Sequence, residues 1–263
     1  MIDVLVTGAA GKMGREVVKA VTAAEGMQIV VAVDPYMAGQ ALIDGQGGEI
    51  VCVDDLATAI EESRPDVMVD FTSASVLEEN LRTALGAGVN CVVGTTGLPI
   101  PTLVDLTEQA NGNAALFIAP NFAISAVLMM HFVAQAAKYL PHAEIIELHH
   151  DAKLDAPSGT AMRTAGMIAA ARSEVPDSPE GETEVAEGAR GATVDGVTVH
   201  SVRLPGLVAH QEVIFGGQGQ TLTVRHDSID RTSFMPGVVL AVRKVGELDG
   251  LVIGLESLLE APE

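Results

Sequence analysis

The chain has 263 residues, of which 48% are hydrophobic and 3% aromatic, and it contains no tryptophan. Its 15 basic and 35 acidic residues give a formal net charge of −20 at pH 7. A surface with that charge repels nucleic acid and anionic lipid, so neither is expected as a partner. The length allows one large domain or two modest ones. A mostly aliphatic core is typical of parallel strands that helices cover on both faces.

The N-terminal segment and the two cysteines exclude further classes of protein. Residues 1–6 have the pattern of a strand rather than of a leader peptide. No apolar run reaches the ~18–20 residues that span a membrane. We therefore expect a cytoplasmic protein. Cys52 and Cys91 stand alone among aliphatic residues, and we predict that they are buried and form neither a disulfide framework nor a metal site.

The first half of the chain alternates between strand-like and helix-like patterns. Stretches with apolar residues at helical spacing lie between several of the aliphatic runs of strand length, which are residues 4–7, 28–33, 66–71, 90–93 and 115–118. This alternation predicts an α/β fold with a Rossmann-like, doubly wound parallel sheet.

The second half has a different pattern. An apolar helix is predicted at residues 124–139, and later elements are a strand at 144–149, a helix at 160–171, a surface loop at 174–191 and strands at 197–203, 211–215 and 221–225. Strands that follow each other without helices indicate a second α+β domain with an open mixed sheet. A helix at 234–245 and a strand at 251–255 return to the first domain. The predicted domains are 1–123 with 233–263 and, between them, 124–232.

A glycine-rich loop follows the first predicted strand and precedes a helix. Such a loop lets the backbone approach a pyrophosphate at the helix N-terminus, and its residues are Gly8, Ala9, Ala10, Gly11, Lys12, Met13 and Gly14. Asp34 ends the second strand, where an acid hydrogen-bonds the ribose of NAD. The pattern predicts NADH and/or NADPH as cofactor. Because Asp34 repels the extra phosphate of NADPH, NADH should serve at least as well, with Lys12 and Arg15 partly offsetting the repulsion.

Two later segments follow strands of the parallel sheet, at the carboxyl ends where ligands bind. They are Gly94, Thr95 and Thr96 after the fourth strand, and Ala119, Pro120, Asn121 and Phe122 after the fifth. Their small side chains and backbone groups suit the ribose and carboxamide of the nicotinamide half of the cofactor.

Residues 144–161 form the strongest local cluster of charged groups. His149, His150 and Lys153 bring positive charge into an acidic chain. Gly159 and Thr160 begin a helix whose N–H groups bind carboxylates, with Ser158 as a cap. Alternatives remain, since one histidine can be a core residue and Lys153 can pair with Asp151 or Asp155. A metal site is poorly supported, because a third spaced ligand is missing.

The same segment resembles the dihydrodipicolinate reductases, also called hydroxy-tetrahydrodipicolinate reductases. The family pattern E-[IV]-x-E-x-H-x-x-x-K-x-D-x-P-S-G-T-A is met at every fixed position from Glu144 to Ala161. The glycine loop, the two later segments and residues 231–234 extend the resemblance over nearly the whole chain. One departure is Asp151-Ala152, where many family members carry a basic residue before the lysine, and this makes the rim of the site less positive.

The resemblance implies a reaction and roles for the residues. The reaction is the NAD(P)H-dependent reduction of 4-hydroxy-tetrahydrodipicolinate, a small cyclic dicarboxylate, to tetrahydrodipicolinate in diaminopimelate and lysine biosynthesis. His149 is implied as the proton donor and Lys153 as a cation near the ring or as the acid itself. Substrate carboxylates would be held by His150, Lys153, Ser158, Gly159 and Thr160. The family also implies a homotetramer joined through the open sheet of the second domain.

Two other readings stay open at this point. One is an NAD-dependent dehydrogenase of another small amino diacid, which would share the glycine loop but has no need of the whole segment from Lys153 to Ala161. The other is a non-catalytic NADH sensor, which would bind the nucleotide without turnover and would tolerate the loss of Lys153.

Overall fold

The computed structural model describes residues 1–175, 181 and 183–259. Its internal contacts divide the chain into two compact units. The first unit contains Met1–Ile124 and the described residues from Arg231 onward. The second contains Ser125–Asp230 and is therefore inserted between the two parts of the first.

The first unit is organised around one large sheet. Its strands, numbered in chain order, are β1 (Ile2–Thr7), β2 (Met27–Val33), β3 (Ala41–Ile43), β4 (Glu49–Val53), β5 (Val67–Asp70), β6 (Asn90–Val93), β7 (Leu116–Ile118) and β13 (Leu251–Ile253). They lie in the order β13-β7-β6-β5-β1-β2-β4-β3. All neighbouring pairs are parallel except β3 with β4, which is antiparallel.

Helices accompany this sheet as they do in a doubly wound fold. They are α1 (Lys12–Ala23), α2 (Leu56–Ser63), α3 (Ala74–Gly86), α4 (Ile100–Gln109) and α7 (Met235–Lys244), with short 3-10 turns at Arg231–Phe234, Val245–Glu247 and Leu255–Leu258. Met68, Leu77, Leu81 and Leu116 are fully buried in one core cluster of the unit. Burying a side chain of this size contributes about 1.5–3 kcal/mol.

The described part of the second unit holds a five-stranded mixed sheet and two helices. The strands are β8 (His142–His149), β9 (Ala192–Val194), β10 (Val197–Arg203), β11 (Ala209–Gly217) and β12 (Gln220–Ser228), and the helices are α5 (Ile124–Ala137) and α6 (Gly159–Ala171). The strand order is β12-β11-β8-β10-β9. Only β8 and β10 run parallel, and the other pairs are antiparallel. The predicted fold class, a Rossmann-like sheet plus a second domain with a mixed sheet, is confirmed.

One face of the second sheet is buried and the other is partly open. Ile145 on β8 is fully buried beside its register partners Val199 and Val213, which are also buried. Because side chains alternate along a strand, Glu147 and His149 share this covered face with Ile145. Residues Glu144 and His200, on the other face, keep contact with solvent. The strand pattern therefore places the carboxylate of Glu147 and the imidazole of His149 on the covered face.

Several predicted elements end differently in the structure. β3, β4 and β9 were not predicted, and α5 ends at Ala137 rather than at residue 139. The strand predicted at 251–255 ends at Ile253, because Gly254 takes a φ of 92° and a 3-10 turn begins at Leu255. In the loop predicted at 174–191, residues 176–180 and 182 lie outside the described part.

Both cysteines are free and buried, as predicted. Burial raises the pKa of the Cys91 thiol, so it stays protonated and unreactive. Among the helices within the described ranges, none combines the length and the apolar character that crossing a membrane requires.

Candidate active site

The glycine loop joins β1 to α1 in a tight turn. Gly8 has a φ of 68°, and a Cβ there would lie 2.6 Å from the carbonyl oxygen of Phe71. A Cβ on Gly14 would lie 2.1 Å from the carbonyl oxygen of Gly8, so the first turn of α1 packs directly on the loop. Gly11 is the N-cap residue and makes no side-chain cap. The N–H groups at the start of α1 can therefore bind a pyrophosphate.

The other loop residues surround this turn. Ala9 is fully buried, and its N–H donates to the carbonyl of Val33 at the end of β2. Lys12 and Met13 are the first two residues of α1, with Lys12 exposed and Met13 partly buried. The loop thus offers backbone groups, with the Lys12 side chain in solvent beside them.

Asp34 supports the glycine loop from the end of β2. Its Oδ2 accepts the N–H of Ala10 at 3.0 Å, and its Oδ1 accepts the N–H of Tyr36 at 3.0 Å. The side chain of Arg15 donates from Nε to the carbonyl of Ala10 at 2.8 Å. A carboxylate and a guanidinium therefore bind the N–H and the carbonyl of the same residue, Ala10, where the ribose of a dinucleotide is expected.

Asp70 is a buried carboxylate at the end of β5, and sequence reasoning gave it no role. It is 0% exposed. Five donors reach it, namely the hydroxyls of Thr7, Thr72 and Thr95, the side-chain amide of Asn80 and the backbone N–H of Thr72. Each of these groups is neutral. Asp70 therefore ties together the ends of β1, β5 and β6, which border the glycine loop.

The Gly94–Thr96 segment contacts Asp70. Thr95 is 8% exposed and uses its hydroxyl to donate to Asp70 at 2.7 Å and to accept the N–H of Thr72 at 2.8 Å. A Cβ on Gly94 would lie 2.1 Å from the ring of Phe71. Thr96 is exposed. Thr96 and the backbone are thus the parts of this segment that a ligand can reach.

The Ala119–Phe122 segment follows β7 at the same edge of the sheet. The N–H of Ala119 donates to the carbonyl of Val93, and the Asn121 side chain accepts the N–H of Ala123 at 2.8 Å. Phe122 is buried, with its ring centroid 5.8 Å from that of Phe71. Pro120 is exposed. Since β7, β6, β5, β1 and β2 are successive parallel neighbours, every predicted cofactor residue lies at one edge of this sheet.

The predicted anion site in the second unit lies at the start of α6. Ser158 is 3% exposed, and its Oγ accepts the N–H of Ala161 at 3.2 Å, so it caps the helix. Its own N–H donates to Glu147 at 3.3 Å. Gly159 and Thr160 form the first turn of the 13-residue helix, with Gly159 exposed and Thr160 partly buried. Both groups of Ser158 are therefore engaged inside the protein, and Gly159 and Thr160 present the helix N-terminus.

His149 lies at the end of β8 beside a buried carboxylate. Its Nδ1 lies 2.5 Å from Oε2 of Glu147, which is 0% exposed. Burial lowers the pKa of His149, and the positive charges of Lys153 and Arg203 add to the lowering, while Glu147 opposes it. The pKa of Glu147 lies below its usual range, because hydrogen bonds from Arg203, Ser201 and His149 outweigh its burial. Glu147 is therefore ionised and His149 loses a proton readily.

Lys153 and His150 occupy the loop after β8. Nζ of Lys153 contacts both carboxylate oxygens of Asp155, at 2.7 and 2.8 Å, and this is the ion pair that the sequence left as an alternative. Asp155 is 63% exposed, so water screens the pair and a ligand anion can compete for the ammonium group. His150 is exposed, and its carbonyl accepts the N–H of Lys153 at 3.2 Å.

Arg203 is a further residue of this cluster that sequence reasoning missed. It lies at the end of β10, where its register partner is His149. Its guanidinium donates to both oxygens of Glu147, at 2.9 and 2.7 Å, and to the carbonyl of Asp155 at 2.8 Å. One signal was available in the sequence. Period-two alternation puts Glu147 on the covered face with Ile145, and a buried acid there requires a donor from a neighbouring strand.

Comparison with known proteins identifies the family. The family described as dihydrodipicolinate reductase, N-terminus, matches residues 2–122, and that described as dihydrodipicolinate reductase, C-terminus, matches residues 125–259. The chain belongs to the dihydrodipicolinate reductase family. The resemblance seen in the sequence is thereby confirmed.

Individual dihydrodipicolinate reductases resemble the chain over its whole length. A 4-hydroxy-tetrahydrodipicolinate reductase from Desulfitobacterium hafniense (strain DSM 10664 / DCB-2) is 51% identical over 98% of this chain and 99% of its own. One from Moorella thermoacetica is 50% identical over 98% of both. A solved structure of dipicolinate-bound dihydrodipicolinate reductase from Paenisporosarcina sp. TG-14 has a TM-score of 0.87 and 44% identity, covering 98% of this chain and 100% of its own.

Proposed function

We propose that this chain reduces 4-hydroxy-tetrahydrodipicolinate to tetrahydrodipicolinate with NAD(P)H, a step of diaminopimelate and lysine biosynthesis. The relatives that resemble it over nearly their full length carry this activity in their names. The observation that carries the proposal is the cluster of His149, Lys153 and the N-terminus of α6 in one unit. It combines a proton donor with groups that bind carboxylates, and a reductase of a cyclic dicarboxylate needs both.

The residues of the first unit fit a dinucleotide. A Cβ would fill the space at Gly8 and Gly14, and the first turn of α1 has no side-chain cap. When bound, NAD(P)H supplies the hydride. Backbone N–H groups of the loop would hold the pyrophosphate, Asp34 the ribose, and the Gly94–Thr96 and Ala119–Phe122 segments the nicotinamide half.

Three features of the second unit support the proposed handling of substrate. The first turn of α6, at the exposed Gly159 and the partly buried Thr160, would bind one carboxylate through N–H groups and the helix dipole. Lys153 would exchange its exposed partner Asp155 for a substrate anion, and His150 would assist at the rim. Ser158 would act as the cap that keeps the helix start in place.

His149 would deliver the proton that the reduced ring gains. Reduction of a conjugated imine leaves an electron-rich enamine carbon, which takes a proton from a nearby acid. Because the ionised Glu147 carboxylate only accepts hydrogen bonds, Nδ1 of His149 must donate to it, and the transferable proton is then carried by Nε2. In this proposal His149 supplies the proton and Lys153 provides electrostatic stabilisation.

The test is NADH oxidation with the substrate generated in place by its upstream synthase. We expect wild-type turnover and, for Lys153→Ala, a loss of about 100-fold or more because a cation that stabilises developing charge is removed, with NADH affinity unchanged because the substitution lies in the other unit. Lys138→Ala is the matched control, since Lys138 contacts Gln135 on α5, outside the cluster. NADH binding without wild-type turnover would contradict the proposal and favour a sensor or another amino-diacid dehydrogenase.

The cofactor preference is a finer proposal. The carboxylate of Asp34 is 6% exposed and repels a 2′-phosphate, while Arg15 and Lys12 lie close in sequence to the same loop. NADH should therefore be at least as good a cofactor as NADPH, with modest discrimination. In steady-state assays, Asp34→Ser should favour NADPH and Lys12→Ala should weaken NADPH alone. A strong wild-type preference for NADPH would contradict this. The homotetramer and the cytoplasmic location stay predictions.

A further inference from the structure

An ion pair lies next to His149 on the covered face of the second sheet. Glu147 is 0% exposed, and the side chain of its partner Arg203 is 18% exposed. The two residues are 56 positions apart in sequence and meet through two nearly parallel hydrogen bonds, at 2.9 and 2.7 Å. Taking two charges out of water is costly, and a surface pair or an apolar pair would stabilise the sheet as well. The position of this pair therefore calls for a reason other than stability.

The geometry links the pair to the imidazole of His149. Oε2 of Glu147 accepts hydrogen bonds from both Arg203 Nη1 and His149 Nδ1. Oε1 accepts from Arg203 Nη2 and from the N–H of Ser158. Because Arg203 on β10 and Ser158 at the start of α6 hold both carboxylate oxygens, Glu147 is kept from turning away from the ring. It fixes both the orientation of His149 and the nitrogen that carries the exchangeable proton.

The charges of the two residues act on His149 in opposite directions. A lone buried carboxylate would stabilise the imidazolium form and slow the release of its proton. A guanidinium bound to that carboxylate cancels most of this effect while leaving the hydrogen bond in place. Both effects are present in the structure, since Glu147 raises the pKa of His149 and Arg203 lowers it.

We propose that Glu147 and Arg203 are a pair of positioning residues for proton delivery, in which Glu147 orients His149 and Arg203 offsets the charge of Glu147. Neither residue contacts the reacting atoms in this proposal. It rests on the proposed function, because it assumes that His149 supplies the proton. It adds a residue 54 positions beyond His149, on another strand, to the group that controls the reaction.

The other elements around His149 bring few further charged groups close to its imidazole. Lys153, in the loop after β8, lowers the pKa of His149 and is itself paired with Asp155. On β11, the register partner of His149 is the uncharged Ala209. The start of α6 contributes Ser158, which is also uncharged. Among the residues that the structure describes, Glu147, Lys153 and Arg203 are therefore the charged groups that act on the proton equilibrium of His149.

The experiment compares Glu147→Gln with Arg203→Met in the full-length protein. The His149 imidazole is titrated by NMR without substrate, with its signal assigned by its loss in His149→Asn, and the pH profile of kcat is recorded in parallel. Arg203→Lys keeps the charge but not the two parallel bonds, and Glu147→Asp keeps the carboxylate. Arg82→Met changes the net charge equally at an exposed site on α3 and serves as the matched control.

We expect the two variants to move the His149 midpoint in opposite directions. Glu147→Gln should lower it by about one pH unit, because the favourable carboxylate is lost. Arg203→Met should raise it, because the carboxylate is no longer offset. The limb of the kcat profile should follow each shift, with kcat falling more than KM rises. In Arg203→Lys and Glu147→Asp the titration midpoint of His149 should lie closer to the wild-type value than in Arg203→Met and Glu147→Gln. In Arg82→Met it should be unchanged.

Three outcomes would overturn the proposal. They are shifts in the same direction, unchanged midpoints in both variants, or activity losses that only follow the loss of folded protein in thermal melts. If Glu147→Gln does not fold, the comparison of Arg203→Met with Arg203→Lys still decides the effect of the charge. If the wild type itself does not oxidise NADH, the proposed function fails, while the NMR titration still reports whether the pair controls His149.

Discussion

The two units each contain a carboxylate that is 0% exposed, and the two are held in different ways. Among the described residues, Asp70, in the first unit, is bound only by neutral hydroxyl and amide donors. Glu147, in the second unit, is bound by a guanidinium and by a histidine that titrates. A carboxylate with neutral donors fixes the shape of the loops around it. A carboxylate with charged partners also controls where a proton resides, and only the second unit is proposed to transfer one.

The largest loss of stability is expected when Glu147 is replaced and its partner Arg203 is kept. Glu147→Leu leaves Arg203 without its carboxylate, which should lower the free energy of unfolding by about 3–5 kcal/mol. The double variant Glu147→Leu/Arg203→Met should recover much of this loss, because no buried charge remains. Urea denaturation of the three proteins measures both changes. A double variant as unstable as the single one would show that packing, and not the unpaired charge, causes the loss.

A smaller loss of stability is expected when Asp70, the carboxylate with neutral donors, is replaced. Asp70→Asn replaces one acceptor by a donor and leaves at least one of its five donors unsatisfied, at a cost of about 1–3 kcal/mol. NADH affinity should fall, because Thr72 and Thr95 lose a shared partner. The pH profile of kcat should stay unchanged. Asp44→Asn is the control, since both N–H bonds that it accepts reach Oδ1, which asparagine keeps.

If Asp70→Asn shifted the pH profile, the contrast between the two carboxylates would be wrong. Calorimetric titration with NADH measures the change in affinity, and the pH profile of kcat of the same preparation shows whether proton transfer is affected. The comparison with Glu147→Gln then shows whether a buried carboxylate with neutral donors and one with charged partners differ in their effect on the pH profile of kcat.

The smallest effect concerns stability against pH. His226 is 7% exposed between the hydroxyls of Ser125 and Ser228, and burial lowers its pKa. The unfolded chain then binds a proton more readily than the folded one, so stability is complete above about pH 6.5 and falls as the pH drops below that value. The loss per histidine should be up to about 1.4 kcal/mol per pH unit. His149, with a lowered pKa, contributes in the same direction.

The slope of stability against pH is obtained from denaturation midpoints measured at pH 7, 6 and 5. His226→Gln should make it shallower, while His131→Gln, at an exposed position on α5, should leave it unchanged. An equal slope in all three proteins would show that His226 does not sense pH.

Much of the fold followed from the sequence where elements are long or aliphatic. β6 and β10 lie at the predicted residues, and the helix predicted from residue 160 begins one residue earlier, at Gly159. β3 and β9 have three residues each and partly exposed side chains, so they carry no clear periodicity. β4 was missed because its alternation, with Val51 exposed and Cys52 buried, covers only five residues.

The candidate site was predictable only where its residues are neighbours in sequence. The glycine loop, Asp34 and the segment from Glu144 to Ala161 are local patterns that a single strand or helix start explains. Asp70 and Arg203 act through partners from other strands, and Arg203 meets Glu147 only because β8 and β10 pair in one particular register. A local sequence pattern does not predict that register, because the register is determined by the whole sheet.

The insertion of the second unit has a consequence for how the chain is made. β7 ends at Ile118, and β13, which pairs with it, begins at Leu251. At typical synthesis rates of ~5–20 residues per second, β7 waits roughly 7 to 27 seconds for that partner on the ribosome. The inserted unit is contiguous and can complete its sheet during this interval, while the edge of β7 is open to wrong pairing. A strand synthesised after the inserted unit therefore completes a sheet that was begun before it.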